Sequence, residues 1–313
     1  MRVEGWAVAR ESIDVLEFQR RFATEDACRQ YLFRQRWPDG FICPRCGCRE
    51  YSEIRSRHLY QCKSCRYQAS LTAGTVFHKT HMPLQKWFWA VFLVAHDKGG
   101  CSAVRLSQQL NTRLETAWLM LHKIRAAMGQ RESQYQLGGL VKLDDAFFGN
   151  REREGSSGRG TAKASVVVGV SETEAGNPAY VKMKMVKSLT STTILDVAKE
   201  ILKPKARVFS DGLLVYEALH KEGYKHDFAV ISQDPESLQR FVWVHKFISN
   251  AKTFILGTYH GLGRKHLQAY LDEFCYRTNR RRQPKQLFSH LLEACVRART
   301  VTKQDLVAAE LSG

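Results

Sequence analysis

No stretch of the 313 residues approaches the 18 or more consecutive apolar residues that a membrane span needs. The first 22 residues, MRVEGWAVARESIDVLEFQRRF, lack the uninterrupted apolar core of a secretory signal. Together these absences predict a cytoplasmic protein with no membrane partner. Acidic residues are also scarce. There are 31 Asp and Glu against 48 Lys and Arg, a net charge of +17, and none at all between Glu236 and Asp272. Such a balance points to a polyanionic partner, most often nucleic acid. Cysteine is not scarce. Nine of them in a cytosolic chain suggest metal ligands or buried thiols rather than disulfides.

Four of the nine form a pattern. Cys43-x-x-Cys46 and Cys62-x-x-Cys65 lie about 15 residues apart, within the spacing of a four-thiolate zinc site. Thiolates at that spacing close a tetrahedron round Zn²⁺, and such closed sites are structural rather than catalytic. Arg45, Arg49, Arg55, Arg57, Lys63 and Arg66 make this ribbon basic. Beyond it, MPLQKWFWAVFLVAHDKG reads as a buried helix. Ser102 is placed to cap a helix through Leu110, Asn111 marks a turn, and Leu114 to Met128 continues as a longer helix. Two helices joined by a turn, the second carrying Lys123 and Arg125, form a helix-turn-helix-like unit that predicts DNA contact.

From Leu140 the period changes to two. In LVKLDDAFFG, Val141, Leu143 and Phe147 share one face, while Asp144, Ala146 and Phe148 share the other. A carboxylate in mid-strand needs a metal ion or a cationic partner to offset its burial. After a Gly-rich basic loop at 150–163 come strands at 164–170 and 179–186, a helix at 192–202 and a strand at 206–212. A second helix at 213–223 and a strand at 227–232 follow. That order is an α/β fold with an RNase H-like core, a three-strand meander followed by two crossover strands. In it, Asp144 on the first strand and Asp211 at the end of the fourth lie side by side, where two carboxylates repel unless a divalent cation sits between them. Alternation sends Asp145 to the opposite face. A third ligand is expected on the helix within 241–261, where no acid occurs and Asn250 lies at the edge of the apolar stripe.

The segment 264–298 reads as helical and basic, with Arg277, Arg280, Arg281 and Arg282 clustered as phosphate contacts. The expected domains are an N-terminal helical segment (1–40), the zinc ribbon (41–80), the helix-turn-helix-like domain (81–135), the catalytic core (136–261) and C-terminal basic helices (262–313).

The motifs WPDGFICPRCG (37–47), LDDAFFG, SDG (210–212), WVHKFISNAK (243–252) and KHLQAYLDEFCYRTNRR (265–281) carry a further signal. Through them the chain resembles the insertion-sequence transposases of the DDE superfamily, in the ISXO-like group that bears an N-terminal zinc ribbon. The resemblance implies a bacterial protein acting at the nucleoid, with Asp144, Asp211 and Asn250 as the catalytic set, Asn standing in for the third acid. Lys252 and His245 would support them. It also implies two Mg²⁺ or Mn²⁺ ions, structural Zn²⁺, and double-stranded DNA bearing terminal inverted repeats as partner. The reaction would cut the element's ends and join the freed 3′-hydroxyl to target DNA, in a homodimer or higher oligomer. Two other readings stay open from the residues: a DNA-binding regulator on an inactive core, and an RNase H-like nuclease without strand transfer.

Overall fold

The computed structural model describes residues 13–149, 163–229, 237–260 and 262–308. All but the last residue of the loop expected at 150–163, the last residues of the strand expected through 232 and both extreme termini lie outside them. In chain order the first elements are α1 (Val15–Arg21), α2 (Glu25–Arg36), and β1 (Tyr51–Ile54), β2 (Leu59–Cys62) and β3 (Gln68–Ser70). Next come α3 (Leu84–His96), α4 (Ala103–Gln109) and α5 (Leu114–Glu132). Then follow β4 (Leu140–Phe148), β5 (Ala164–Glu172), β6 (Pro178–Val186), α6 (Ser191–Ile201), β7 (Arg207–Asp211), α7 (Ala218–Lys221) and β8 (Lys225–Ala229). The chain closes with α8 (Ser237–Arg240), α9 (Val242–Tyr259), α10 (Arg264–Asn279), α11 (Leu287–Arg297) and α12 (Lys303–Ala308).

Two compact units share these elements, residues 1–130 with 283–306 and residues 131–282 with 307–313. The C-terminal segment expected from 262 onward is therefore not a unit of its own. Pro284 breaks it, and α10 and α11 belong to different units.

In the first unit local chemistry fixes the helix starts. Thr24 accepts from the Ala27 N–H to cap α2, and Ser102 accepts from Arg105 to cap α4. Pro83 precedes α3 without offering a side-chain cap. Glu25 of α2 supplies one, its two carboxylate oxygens accepting the Leu84 and Gln85 N–H groups at 2.8 and 3.0 Å. Asn111 turns the chain at φ +44° between α4 and α5. From Met120 to Ile124, α5 is buried at every position. A helix wrapped on all sides is a core helix, not a surface reader.

The second unit is built on a five-stranded sheet in the order β6-β5-β4-β7-β8. β4, β5 and β6 form the antiparallel meander, and β7 and β8 add in parallel beside β4. This is the RNase H-like arrangement. One face, with Ala146, Phe148, Val166, Val168 and Val181, packs on Val244, Phe247, Ala251 and Ile255 of α9 and on Leu267 and Leu271 of α10. The other face, with Val141, Leu143, Val167 and Val208, packs on Ile194, Val197 and Ile201 of α6 and on Tyr216 and Leu219. Gly169 permits the close approach there, since a Cβ would stand 2.9 Å from Leu137 Cδ1.

The free edge of β6 is closed by side chains. Asn279 of α10 accepts from the Val181 N–H and donates to its carbonyl. Gln268 does the same to the Met185 N–H and the Met183 carbonyl. Two amides thus take the place of a sixth strand.

Candidate active site

The β4–β7 ladder ends at Leu143 paired with Ser210, which places Asp144 beside Asp211 at the point where β7 stops. Carboxylate oxygens of Asp144, Asp145 and Asp211 all lie within 4.8 Å of one another. The presence of Asp145 corrects the alternation argument. Its Cβ does leave on the other face, but past Leu143 no paired strand flanks β4 on the β7 side, and the side chain turns round the open end. Its N–H donates to Asp144 Oδ1 at 2.8 Å. Three half-buried carboxylates at this spacing are an all-oxygen donor set suited to a divalent cation.

α9 crosses this end of the sheet with Phe241 and His245 leading. His245 Nε2 stands 3.2 Å from Asp144 Oδ2, and that hydrogen bond raises the imidazole pKa above its usual value. Further along the same flank, Lys252 brings Nζ to 5.7 Å from the Phe148 ring centroid. Partial burial, then the neighbouring Lys163, lowers its pKa. Asn250 is elsewhere. It follows His245 by five residues, about 140° round the helix, on the flank shared with Trp243 and Phe254. Trp243 donates to the Gly176 carbonyl in the β5–β6 turn, so that flank faces the meander and not the β4–β7 junction. Asn250 is exposed there. The α9 residue brought against Asp144 is His245, which corrects the expectation for Asn250.

In the first unit, Cys43 and Cys65 Sγ lie 3.6 Å apart, as do Cys46 and Cys62, and the four fall within 4.8 Å of one another. Tetrahedral Zn–S bonds of about 2.3 Å imply sulfur separations of about 3.8 Å. The set fits that ion. The N–H of Cys65 leads the contacts that shift the Cys62 thiol toward thiolate. Cys48 stays outside, donating to the Glu50 carbonyl.

The six cations expected on DNA divide. Lys123 is buried, with Nζ donating to the Val76 and His78 carbonyls, and Arg125 is buried with a guanidinium nitrogen on the Cys101 carbonyl. Both are corrected from reading groups to groups that hold the unit's interior. Arg277 pairs with buried Glu273 at 3.0 Å, and Arg280 with buried Glu132. They too are committed inside the fold. Arg281 and Arg282 are exposed, Arg281 reaching the Pro178 carbonyl and lying 5.6 Å from the Phe247 ring.

Residues 136–279 match the ISXO2-like transposase domain, and residues 23–68 match the transposase zinc-ribbon domain. The chain thus carries an ISXO2-like transposase domain behind a transposase zinc ribbon. Among relatives of the chain is an uncharacterized protein in transposable element ISH50 of Halobacterium salinarum, 23% identical over 88% of this chain and 98% of that one. Two solved structures are similar at low overlap. One is a simian T-cell lymphotropic virus intasome in complex with the PP2A regulatory subunit B56 gamma (14% identity, TM-score 0.31), where the match covers 55% of this chain and 63% of that one. The other is the Mos1 strand transfer complex (10% identity, TM-score 0.26), covering 66% and 78%. No helix among the described residues is long and apolar enough to cross a membrane.

Proposed function

We propose that this protein cuts DNA at the ends of an insertion sequence and joins the freed 3′-hydroxyl to target DNA. The observation that carries the reading is the convergence of Asp144, Asp145 and Asp211 at the β4–β7 junction, inside the domain that matches the transposase family. Asp144 and Asp211 are the principal ligands for Mg²⁺ or Mn²⁺, with Asp145 beside them and His245, rather than Asn250, the α9 residue set against Asp144. A divalent cation bound there supplies Lewis acidity and offsets charge on the reacting phosphate. The chain's own groups do the rest. The carboxylates fix the donor geometry and His245 holds Asp144 in place. Lys252, on the same helix flank, meets a DNA phosphate. Arg281 and Arg282 add exposed positive charge on the catalytic unit, and the zinc-bound ribbon adds more on the first. Double-stranded DNA, both element ends and target, is the substrate, and a homodimer brings two such centres to two ends.

The test is strand cleavage and joining on DNA carrying the gene's flanking sequences with Mg²⁺ or Mn²⁺, comparing wild type with Asp144→Ala. Cleaved ends and joined product, both lost in the variant, are expected. Binding to the ends with no metal-dependent product would overturn the proposal in favour of a regulator. Cleavage without joining would leave a nuclease.

A further inference from the structure

We propose that His226 is a positioning residue for the carboxylate end of β7, acting on Asp211 through Ser210. The inference rests on the reading of Asp211 as a metal ligand and adds a residue outside the metal's own shell.

β7 is held unevenly at its end. Up to Ser210 it is paired on both sides, with β4 and β8, but at Asp211 only Ala229 of β8 remains, and Gly212 follows. The peptide that carries the ligand is thus anchored by the ladder on one side alone. Ser210 supplies a second anchor. Its side chain leaves on the face opposite Asp211, among Val208, Tyr216 and Leu219, and is completely buried. Its Oγ donates to the Asp211 carbonyl oxygen at 2.8 Å and lies 2.8 Å from Nε2 of His226, itself buried on β8. With the hydroxyl proton directed at the carbonyl, Nε2–H donates to Oγ, which fixes the imidazole tautomer. The chain runs from His226 Nε2–H to Ser210 Oγ–H to the Asp211 carbonyl.

The alternative is that this pair merely fills the core. Its chemistry argues otherwise. Nδ1 of His226 is buried without a hydrogen-bond partner among the described residues, and the ring of His220 packs edge-on at 5.0 Å. Leu or Val at that place would fill the space without burying a nitrogen that nothing satisfies. Through one hydroxyl this imidazole reaches the main-chain carbonyl of a residue whose side chain belongs to the carboxylate cluster, a relay of the kind by which outer-shell groups orient metal ligands.

The experiment measures Mn²⁺ binding to the full-length, zinc-loaded protein without DNA, by the loss of the free-ion electron paramagnetic resonance signal. Thermal melting is followed in parallel. His226→Leu and Ser210→Ala are each expected to weaken Mn²⁺ binding about tenfold, the low end for an outer-shell group, with melting little changed. His226→Gln, whose amide nitrogen reaches the place of Nε2, is expected to restore binding to within about twofold of wild type. Mn²⁺ binding by Ser210→Ala equal to wild type would overturn the proposal, and so would a loss matched by equal loss in His226→Gln. Should His226→Leu fail to fold, Ser210→Ala decides alone, since it cuts the link and leaves the imidazole in place. Asp211→Ala separates the two levels. If it binds Mn²⁺ like wild type, the assignment of Asp211 itself fails; if it does not and Ser210→Ala does, only the role of His226 fails.

Discussion

An imidazole against Asp144 changes which cation suits the cluster. Nitrogen donors favour Mn²⁺ over Mg²⁺, which prefers oxygen and holds its own water. His245→Ala is therefore expected to lose most DNA cleavage, whereas Asn250→Ala stays within about threefold of wild type, as surface substitutions generally do. His245→Glu should raise activity in Mg²⁺ relative to Mn²⁺. The pH dependence has a definite sign. In the metal-free protein the Asp144 hydrogen bond raises the His245 pKa, so the protonated pair contributes stability below the ordinary value near 6.5 and loses it as pH rises through the raised one. A cation competes with that proton, and Mn²⁺ binding should strengthen over the same interval. Asp272 gives a second case. Burial pushes its carboxyl up to about 6, against a hydrogen bond from Gln268 at 2.8 Å. A raised acid favours folding below about 4 and loses that contribution as pH climbs through 6. Asp272→Asn should thus stabilise the fold at pH 8 and leave it unchanged at pH 4, read by urea denaturation at the two values. The full displacement converts to about 3 kcal/mol, the upper bound of the gain expected at pH 8.

Elements in this chain are finished by groups far away in sequence. Glu25 caps α3 across nearly sixty positions. Glu25→Ala should destabilise the first unit by about 1–2 kcal/mol, as loss of a charged helix cap does. A shift of the urea midpoint with no change in metal-dependent chemistry would show it. The same distances explain what the sequence revealed and what it hid. Strands β4 to β7 and helix α6 appear within a residue or two of expectation, because alternation and turn residues are local. Asp144 and Asp211 follow from strand order alone. The third position does not. An apolar stripe identifies the buried face of α9, but its two flanks are equivalent until Trp243 docks on the β5–β6 turn and sends His245 to the carboxylates. Lys123 and Arg125 look like surface groups because the cover over α5 comes from distant segments, such as Val76 hydrogen-bonded to the Cys295 carbonyl. Their carbonyl partners, likewise, cannot be read from spacing.

Across the whole molecule, a charge of +17 would suggest that every cation serves the polyanion, and the structure separates them. Binding to duplex DNA should fall linearly on a log–log plot against salt, with a slope set by the phosphates neutralised. Arg281→Ala and Arg282→Ala should each flatten that slope by about 1. Lys123→Met should leave it alone and lower the melting temperature instead. The sealed margin of β6 carries one more consequence. A sheet with two open margins can add copies of itself without end, head to tail. With Asn279 and Gln268 closing one side, β8 is the one margin without a strand or amide partner among the described residues, and a lone sticky side can be used once: two copies meeting there back to back exhaust it. Growth through this sheet therefore terminates at a symmetric pair and cannot continue into a fibre.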